Sequence, residues 1–149
     1  MDTLRLFNVD DSFLGRYSRL VTGTVIPYQE DILNDRIPGV EKSHAVENFR
    51  LAAQVIETGS CSGEFHGMVF QDSDVAKWLE AAAYSLALKP DAALENRCDQ
   101  MIALIGRAQE KDGYLNSYFT VKERGKRWTN LREAHELYCA GHMMEAAVA

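Results

Sequence analysis

The sequence has 149 residues, 46% of them hydrophobic, and its 16 basic against 22 acidic side chains give a formal net charge of −6 at pH 7. The acidic balance excludes the usual nucleic-acid-binding protein, which presents a basic surface to the phosphate backbone. Three cysteines that lie far apart exclude a disulfide scaffold and a zinc ribbon. No apolar run approaches the ~18 residues of a bilayer span, and the N-terminal segment lacks the features of a signal peptide, so we expect one cytoplasmic domain that binds no membrane.

Apolar residues recur every three or four positions along nearly the whole chain, which predicts an all-α fold. We expect Ser12 to cap the first helix, and we expect that helix to kink or break at Pro27, because proline disrupts a helix interior. A Pro-Gly turn at residues 38–39 separates this segment from the second helix, which begins at Ser43 or His44.

The third and fourth helices have the clearest boundaries. Asp72 or Ser73 is expected to cap the third helix, and Pro90 ends it. Asp91 caps the fourth helix, which stops at the Asp-Gly pair 112–113 because glycine favours the left-handed residue after a last turn. The apolar stripe of the third helix consists of Val75, Trp78, Leu79, Ala82 and Leu86.

The last third of the chain is predicted to hold one more helix. Residues 114–120 have the pattern of extended or irregular chain, and the fifth helix runs from about Leu131 to the end. The side chains expected to face inward from it are Ala134, Leu137, Tyr138, Gly141 and Met144.

Short turns make consecutive helices antiparallel neighbours, so we predict antiparallel helical hairpins. The long connections 58–71 and 111–130 are then expected at one end of the molecule, together with the N-termini of the third and fifth helices. Long connections and free helix N-termini commonly carry function. The residues that this topology brings to that end are Gln71, Asp72, Asp112, Tyr114 and His135.

Amide, carboxylate and aromatic side chains are concentrated in residues 63–74, and this mixture is typical of a sugar site. Polar groups of this kind bind hydroxyls, and aromatic faces pack on the C–H surface of the ring. A glycosidase also needs two placed carboxyl groups. The candidates are Glu64, Asp72, Asp74 and Glu136, and their spacing singles out no pair. His135 and His142 lie ~10 Å apart along a helix, too far to share a metal ion.

Several strings, taken together and in order, carry a family resemblance. They are VIPYQ at 25–29, SHAVENF at 43–49, GMVFQDSDVAKWLEA at 67–81, DGYL at 112–115, RWTNL at 127–131 and HELYCAGH at 135–142. With these strings the chain resembles the N-terminal part of glycoside hydrolase family 127, the β-L-arabinofuranosidase group. The resemblance covers about residues 10 to 149, and the string at 69–80 is its most specific part.

The resemblance implies that residues 1–149 are the N-terminal, incomplete portion of an (α/α)6-barrel catalytic domain. It implies retaining hydrolysis of arabinofuranosides, with a cysteine nucleophile in a zinc site of three cysteines and one glutamate. Those residues lie downstream in the family, and none of the cysteines here falls in a zinc-ligand motif, so we expect neither a catalytic residue nor a metal ligand in this chain. His135 resembles a family residue that contacts the sugar, and Gln71 and Asp72 are expected to bind substrate beside it.

Two other functions remain open at this stage. Another α/α-barrel sugar enzyme, such as an unsaturated uronyl hydrolase or an epimerase, would bind an anionic sugar through arginine, and Arg127 and Arg132 are the nearby candidates. A helical interaction scaffold would show self-similarity with a period of about 30–45 residues, which the sequence lacks. The expected partner is a small carbohydrate, and no pattern in the sequence defines an oligomeric state.

Overall fold

The computed structural model describes residues 11–149, and within that range every regular element is helical. The α-helices, in chain order, are α1 (Ser12–Leu20), α2 (Ile26–Leu33), α3 (Ala45–Thr58), α4 (Asp72–Leu88), α5 (Ala92–Ala108), α6 (Ser117–Val121) and α7 (Glu136–Val148). A π-helix, Val21–Val25, joins α1 to α2, and a 3-10 turn, Arg124–Lys126, lies between α6 and α7. None of these helices has the length and apolar character needed to cross a bilayer. The prediction of an all-α fold is confirmed for the described part of the chain.

The first predicted helix is a continuous helical segment that changes its winding. Asp11, rather than Ser12, caps α1, and its Oδ1 accepts hydrogen bonds from the amides of Phe13 at 2.8 Å and Leu14 at 2.7 Å. The irregularity expected at Pro27 is the π-helix that ends just before it. Pro27 itself is the second residue of α2, directly after the segment in which the winding changes, and both proline and π-type turns are common causes of helix irregularity.

Local capping rules succeed at α5 and fail at α4. Asp91 Oδ1 accepts from the amides of Ala93 at 2.9 Å and Leu94 at 3.0 Å, as predicted. Asp72 is the first residue of α4, but its carboxylate makes no capping bond, because both of its oxygens accept hydrogen bonds from Ser117 instead. The prediction that Asp72 or Ser73 caps this helix is therefore wrong.

The segment before α7 also differs from the prediction. Part of the stretch expected to be extended forms α6, since Asn116 Oδ1 caps it by accepting from the amide of Phe119 at 3.1 Å. α7 begins at Glu136, five residues later than expected. Its buried face is carried by Glu136 and Cys139, whereas Leu137, Tyr138 and Met144, expected inward, are 59%, 42% and 67% exposed.

The helices form two pairs around one core. α4 packs along α7 with the N-termini of both helices at the same end, and α3 packs against α5. α2 is tied to the middle of α4, where the indole nitrogen of buried Trp78 donates to the carbonyl of Ile26 at 3.0 Å. The largest core side chains are Ile26, Phe49, Val75, Trp78, Leu79, Leu94 and Met101.

The connection from α3 to α4 folds back along α3. Gly63 lies against Leu51, and further along the chain His66 exchanges hydrogen bonds with Asn48. At its end, Gln71 Nε2 lies 3.4 Å from Ser43 Oγ. α4 therefore begins beside the start of α3, and not at the far end of that helix, where simple alternation of helix direction had placed it.

Candidate functional site

His135 immediately precedes α7 and has a left-handed backbone with φ of 55°. A non-glycine residue in this conformation is uncommon and often marks a functional position. Its Nδ1 lies 2.7 Å from the carbonyl oxygen of Glu133. A carbonyl can only accept, so Nδ1 carries the proton in that bond, and in the neutral ring Nε2 is then an acceptor. No described residue bonds to Nε2, so the half-buried imidazole offers that atom to a ligand.

Aromatic rings surround His135 and continue along α7. The ring of Phe70 lies 5.1 Å from His135, and the ring of Tyr138 lies 6.0 Å from it. Tyr138 in turn meets His142 edge to face at 4.6 Å. Residues 135, 138 and 142 fall on one face of a helix. Together with Phe70 and Lys77 of the neighbouring segment they form a surface that we call the α4–α7 face.

Lys77 gives this face its positive charge. Its ammonium group lies 2.7 Å from the phenol oxygen of Tyr138 and 3.3 Å from the hydroxyl of Ser73. Asp74, one turn earlier on α4, is half-buried. Burial raises the pKa of the Asp74 carboxyl, and the nearby Lys77 charge opposes that rise.

The opposite face of α7 is apolar and borders a groove of about 850 Å³ between α4, α5 and α7. Its lining includes Leu79, Cys98, Ile102, Ile105, Met143 and Met144. Hydroxyl-rich ligands need polar partners, which this groove supplies only sparsely. The lining also includes the polar side chains of Glu95, Asp99 and Gln109.

Gln71 lies close to this face, but its amide is already engaged. Its Oε1 accepts from the amide of Met68 at 3.2 Å, and its Nε2 donates to Asp74 Oδ2 at 3.0 Å. Gly67 allows this arrangement, since a Cβ there would lie 2.7 Å from Gln71 Oε1 and its φ is 93°. These contacts show that Gln71 shapes the connection before α4, and its contact with substrate stays a prediction.

Asp72 is 2% exposed and accepts hydrogen bonds from both the amide, at 2.7 Å, and the hydroxyl of Ser117. Burial raises the pKa of its carboxyl to about 6, although the two bonds from Ser117 act in the opposite direction. The contacts are those of a structural anchor between α4 and α6. Its direct contact with a sugar also stays a prediction.

Glu136 is a second buried anchor, which the sequence indicated only as one of four candidate carboxylates. Its Oε1 lies 2.5 Å from the phenol oxygen of Tyr114, and its Oε2 accepts from the amide of Trp128 at 2.8 Å. Trp128 has a left-handed backbone with φ of 62°. Burial and the Glu136 carboxylate together raise the pKa of Tyr114 well above its usual value. The connection between α5 and α7 is thus tied to the first residue of each of the two parallel helices.

Comparison with known proteins identifies the family. The sequence profile described as "Beta-L-arabinofuranosidase, GH127 catalytic domain" matches residues 7–149. The chain belongs to glycoside hydrolase family 127. The non-reducing end β-L-arabinofuranosidase of Bifidobacterium longum subsp. longum is 42% identical over 157 aligned residues, which cover 95% of this chain and 23% of that enzyme.

Solved GH127 structures show the same fold. A GH127 β-L-arabinofuranosidase from Geobacillus stearothermophilus T6 superposes with a TM-score of 0.89 and 62% identity, over 95% of this chain and 21% of that one. A second GH127 β-arabinofuranosidase superposes with a TM-score of 0.82 and 32% identity, over 97% of this chain and 22% of the other. The chain therefore forms part of an (α/α)6 barrel, as predicted, and spans about a fifth of the length of these relatives.

The two arginines that an anionic sugar would need are otherwise occupied in this GH127 chain. Arg127 pairs with Glu110 and, at 3.0 Å, with Asp112, and its guanidinium stacks over the ring of Tyr114. Arg132 is exposed and pairs with its neighbour Glu133 at 3.0 Å.

Two of the three cysteines, Cys98 and Cys139, are buried thiols. Burial raises the pKa of the Cys98 thiol and raises that of Cys139 to about 12, so both are protonated at neutral pH. Cys61 is half-buried near the connection that follows α3. Residues 11–149 contain no group of three or more potential ligands that could hold a metal ion. The residues present do not fit the zinc site that the resemblance implied, and that zinc stays a prediction with its ligands expected outside this chain.

Proposed function

We propose that the protein is a glycoside hydrolase that cleaves β-L-arabinofuranosides with retention of configuration, and that this chain supplies one wall of its sugar site. The observation that carries the proposal is the α4–α7 face. It places the Nε2 of His135, the phenol of Tyr138 and the ring of Phe70 on one partly exposed surface of a GH127 chain.

The polar groups of this face suit a neutral furanoside. An imidazole nitrogen and a phenol can bind hydroxyl groups as acceptor and donor, while Phe70 provides an apolar surface for the C–H groups of the ring. The buried carboxylates Asp72 and Glu136 are both held by residues of the α5–α7 connection. We therefore assign them to scaffold roles and expect the acid/base and nucleophile to lie outside this chain.

The test is the hydrolysis of aryl glycosides by the protein in its full natural length. We expect release of the aryl group from the β-L-arabinofuranoside at a far higher kcat/KM than from the α-L anomer or from an unsaturated uronide. A polypeptide of residues 1–149 alone should release none. Preference for the uronide would contradict the proposal, as would turnover by residues 1–149 that is lost in Asp72→Asn or Glu136→Gln.

The cellular context forms a separate part of the proposal. We infer a cytoplasmic enzyme of carbohydrate metabolism, and membership of a glycosidase family supports the metabolic role. Fractionation of cells followed by immunoblotting, together with growth on an arabinofuranoside as carbon source, tests the two points.

A further inference from the structure

The contact between Lys77 and Tyr138 joins the two helices of the α4–α7 face. The lysine ammonium lies 2.7 Å from the phenol oxygen and 5.1 Å from the centre of the phenol ring. It also lies 3.3 Å from the hydroxyl of Ser73, which is itself buried. One contact from α4 and one from α7 therefore hold the lysine side chain, which can otherwise adopt many rotamers.

The direction of this hydrogen bond decides what the phenol can do. An ammonium group has only donors, so the phenol oxygen accepts from Lys77 and its own proton must point elsewhere. Among residues 11–149 no acceptor bonds to that proton, and Tyr138 is 42% exposed. Accepting a bond from a cation also makes the phenol a stronger donor, because hydrogen bonds in a chain polarise one another.

The position of the ring is set by its neighbours. Phe70 lies 6.4 Å away edge to face, His135 lies 6.0 Å away and His142 lies 4.6 Å away. The phenol is therefore held on the same surface as the imidazole that offers Nε2. Sugar hydroxyl and ring oxygens are acceptors that fit such a donor.

We propose that Tyr138 is a sugar-contacting residue that donates its phenol proton to an oxygen of the bound pentofuranoside, and that Lys77 is the positioning residue that orients it. This inference rests on the proposed function. It adds to the site a hydrogen-bond donor on α7 and an orienting cation on α4.

The alternative role of the pair is a structural tie between two helices. The tie would lower the melting temperature when broken, but would leave the affinity for sugar unchanged. The two roles are separated by measuring the inhibition constant of L-arabinose and the KM and kcat for an aryl β-L-arabinofuranoside, beside the melting temperature. The protein is used in its full natural length.

In Tyr138→Phe, we expect KM and the inhibition constant to rise about three- to ten-fold, the range that one hydrogen bond accounts for. Lys77→Met should raise KM and the inhibition constant by less than Tyr138→Phe does. Lys77→Arg should raise them less than Lys77→Met, because arginine can still donate to the phenol. The double variant should have the same KM and inhibition constant as Tyr138→Phe alone, since Lys77 acts through the phenol. Tyr17→Phe and Lys126→Met, both exposed and away from this face, are the matched controls.

Unchanged KM and inhibition constants in Tyr138→Phe, with a lower melting temperature, would overturn the inference and leave the proposed function standing. Additive losses in the double variant would overturn the role of Lys77. Absence of arabinofuranoside hydrolysis by the unmodified protein, together with absence of L-arabinose binding, would overturn both the inference and the proposed function.

Discussion

The carboxylate of Glu136 lies 2.5 Å from the phenol oxygen of Tyr114, and both residues are buried although 22 positions separate them in the chain. The other oxygen of the same carboxylate accepts the amide of Trp128. At the start of the parallel helix α4, Asp72 binds Ser117 in the same way. The long connection between α5 and α7 is thus fastened at two points by buried acids, each the first residue of a helix, where the helix dipole favours negative charge.

Removal of the Glu136 carboxylate should release this connection. In Glu136→Ala, the Trp128 amide and the Tyr114 phenol lose their partner, and we expect a loss of about 2–4 kcal/mol in the free energy of unfolding. Urea denaturation measures that loss. Trypsin should also cut faster at the exposed Arg124 and Lys126 of the freed segment. Glu133→Ala, which removes an exposed neighbouring carboxylate, should change neither quantity, and equal effects in the two variants would contradict the anchoring role.

The raised pKa of Asp72 makes stability depend on pH. Its carboxyl has a pKa of about 6 in the folded chain against an ordinary 3.8, so between these values the folded state binds more protons than the unfolded state. The contribution of Asp72 protonation to the free energy of unfolding is about 3 kcal/mol at most. It is fully present below about pH 4 and is lost as the pH rises through 6.

Asp72→Asn isolates that contribution, because an amide can still accept from the Ser117 amide and donate to its hydroxyl. We expect urea denaturation at pH 4, 5, 6 and 7 to show that the free energy of unfolding of the unmodified protein falls relative to that of the variant. The fall should be complete near pH 7. Parallel curves for the two proteins would show that Asp72 titrates normally.

His135 should contribute to sugar binding and not to folding. His135→Gly removes the imidazole and suits the left-handed backbone. In the full-length protein we expect a fall in kcat/KM for an arabinofuranoside that corresponds to about 1–3 kcal/mol of lost transition-state stabilisation. The melting temperature should be unchanged or higher. An unchanged kcat/KM would remove His135 from the site.

Asn48 should hold the connection that folds back along α3. Its side chain is fully buried, donates to the carbonyl of His66 at 2.8 Å and accepts from the amide of His66 at 3.1 Å. Asn48→Ala should cost about 1–3 kcal/mol and speed the hydrogen exchange of amides in residues 59–71. Gln54→Ala, on the exposed side of the same helix, is the control, and protection that survives in Asn48→Ala would contradict this role.

The sequence predicted those features that depend on neighbouring residues. Asp91 caps α5 as expected, because the two amides that donate to its carboxylate belong to residues two and three positions further along the chain. Asp72 has the same local pattern, yet its partner is Ser117, 45 residues further along. A distant donor outcompeted the local cap, and spacing alone does not reveal such a partner.

Which face of α7 is buried could not be predicted from the sequence for a similar reason. Its period places apolar side chains on one face and His135, Tyr138 and His142 on another, and both faces are partly exposed in the described chain. Tyr138 was therefore expected inward, whereas its position became clear only from its contact with Lys77 on α4. The family strings identified the barrel correctly but not the anchoring roles of Glu136 and Asp72, and the contact of His135 with a sugar stays a prediction.

The most direct test of the sugar site is a crystal structure of the full-length protein with L-arabinose bound. If the α4–α7 face is the sugar site, one sugar oxygen lies within hydrogen-bond distance of His135 Nε2 and another lies beside the Tyr138 phenol, with the sugar ring over Phe70. A sugar bound in the apolar groove beside Met143 and Met144, or in a pocket that excludes the α4–α7 face, would contradict that assignment.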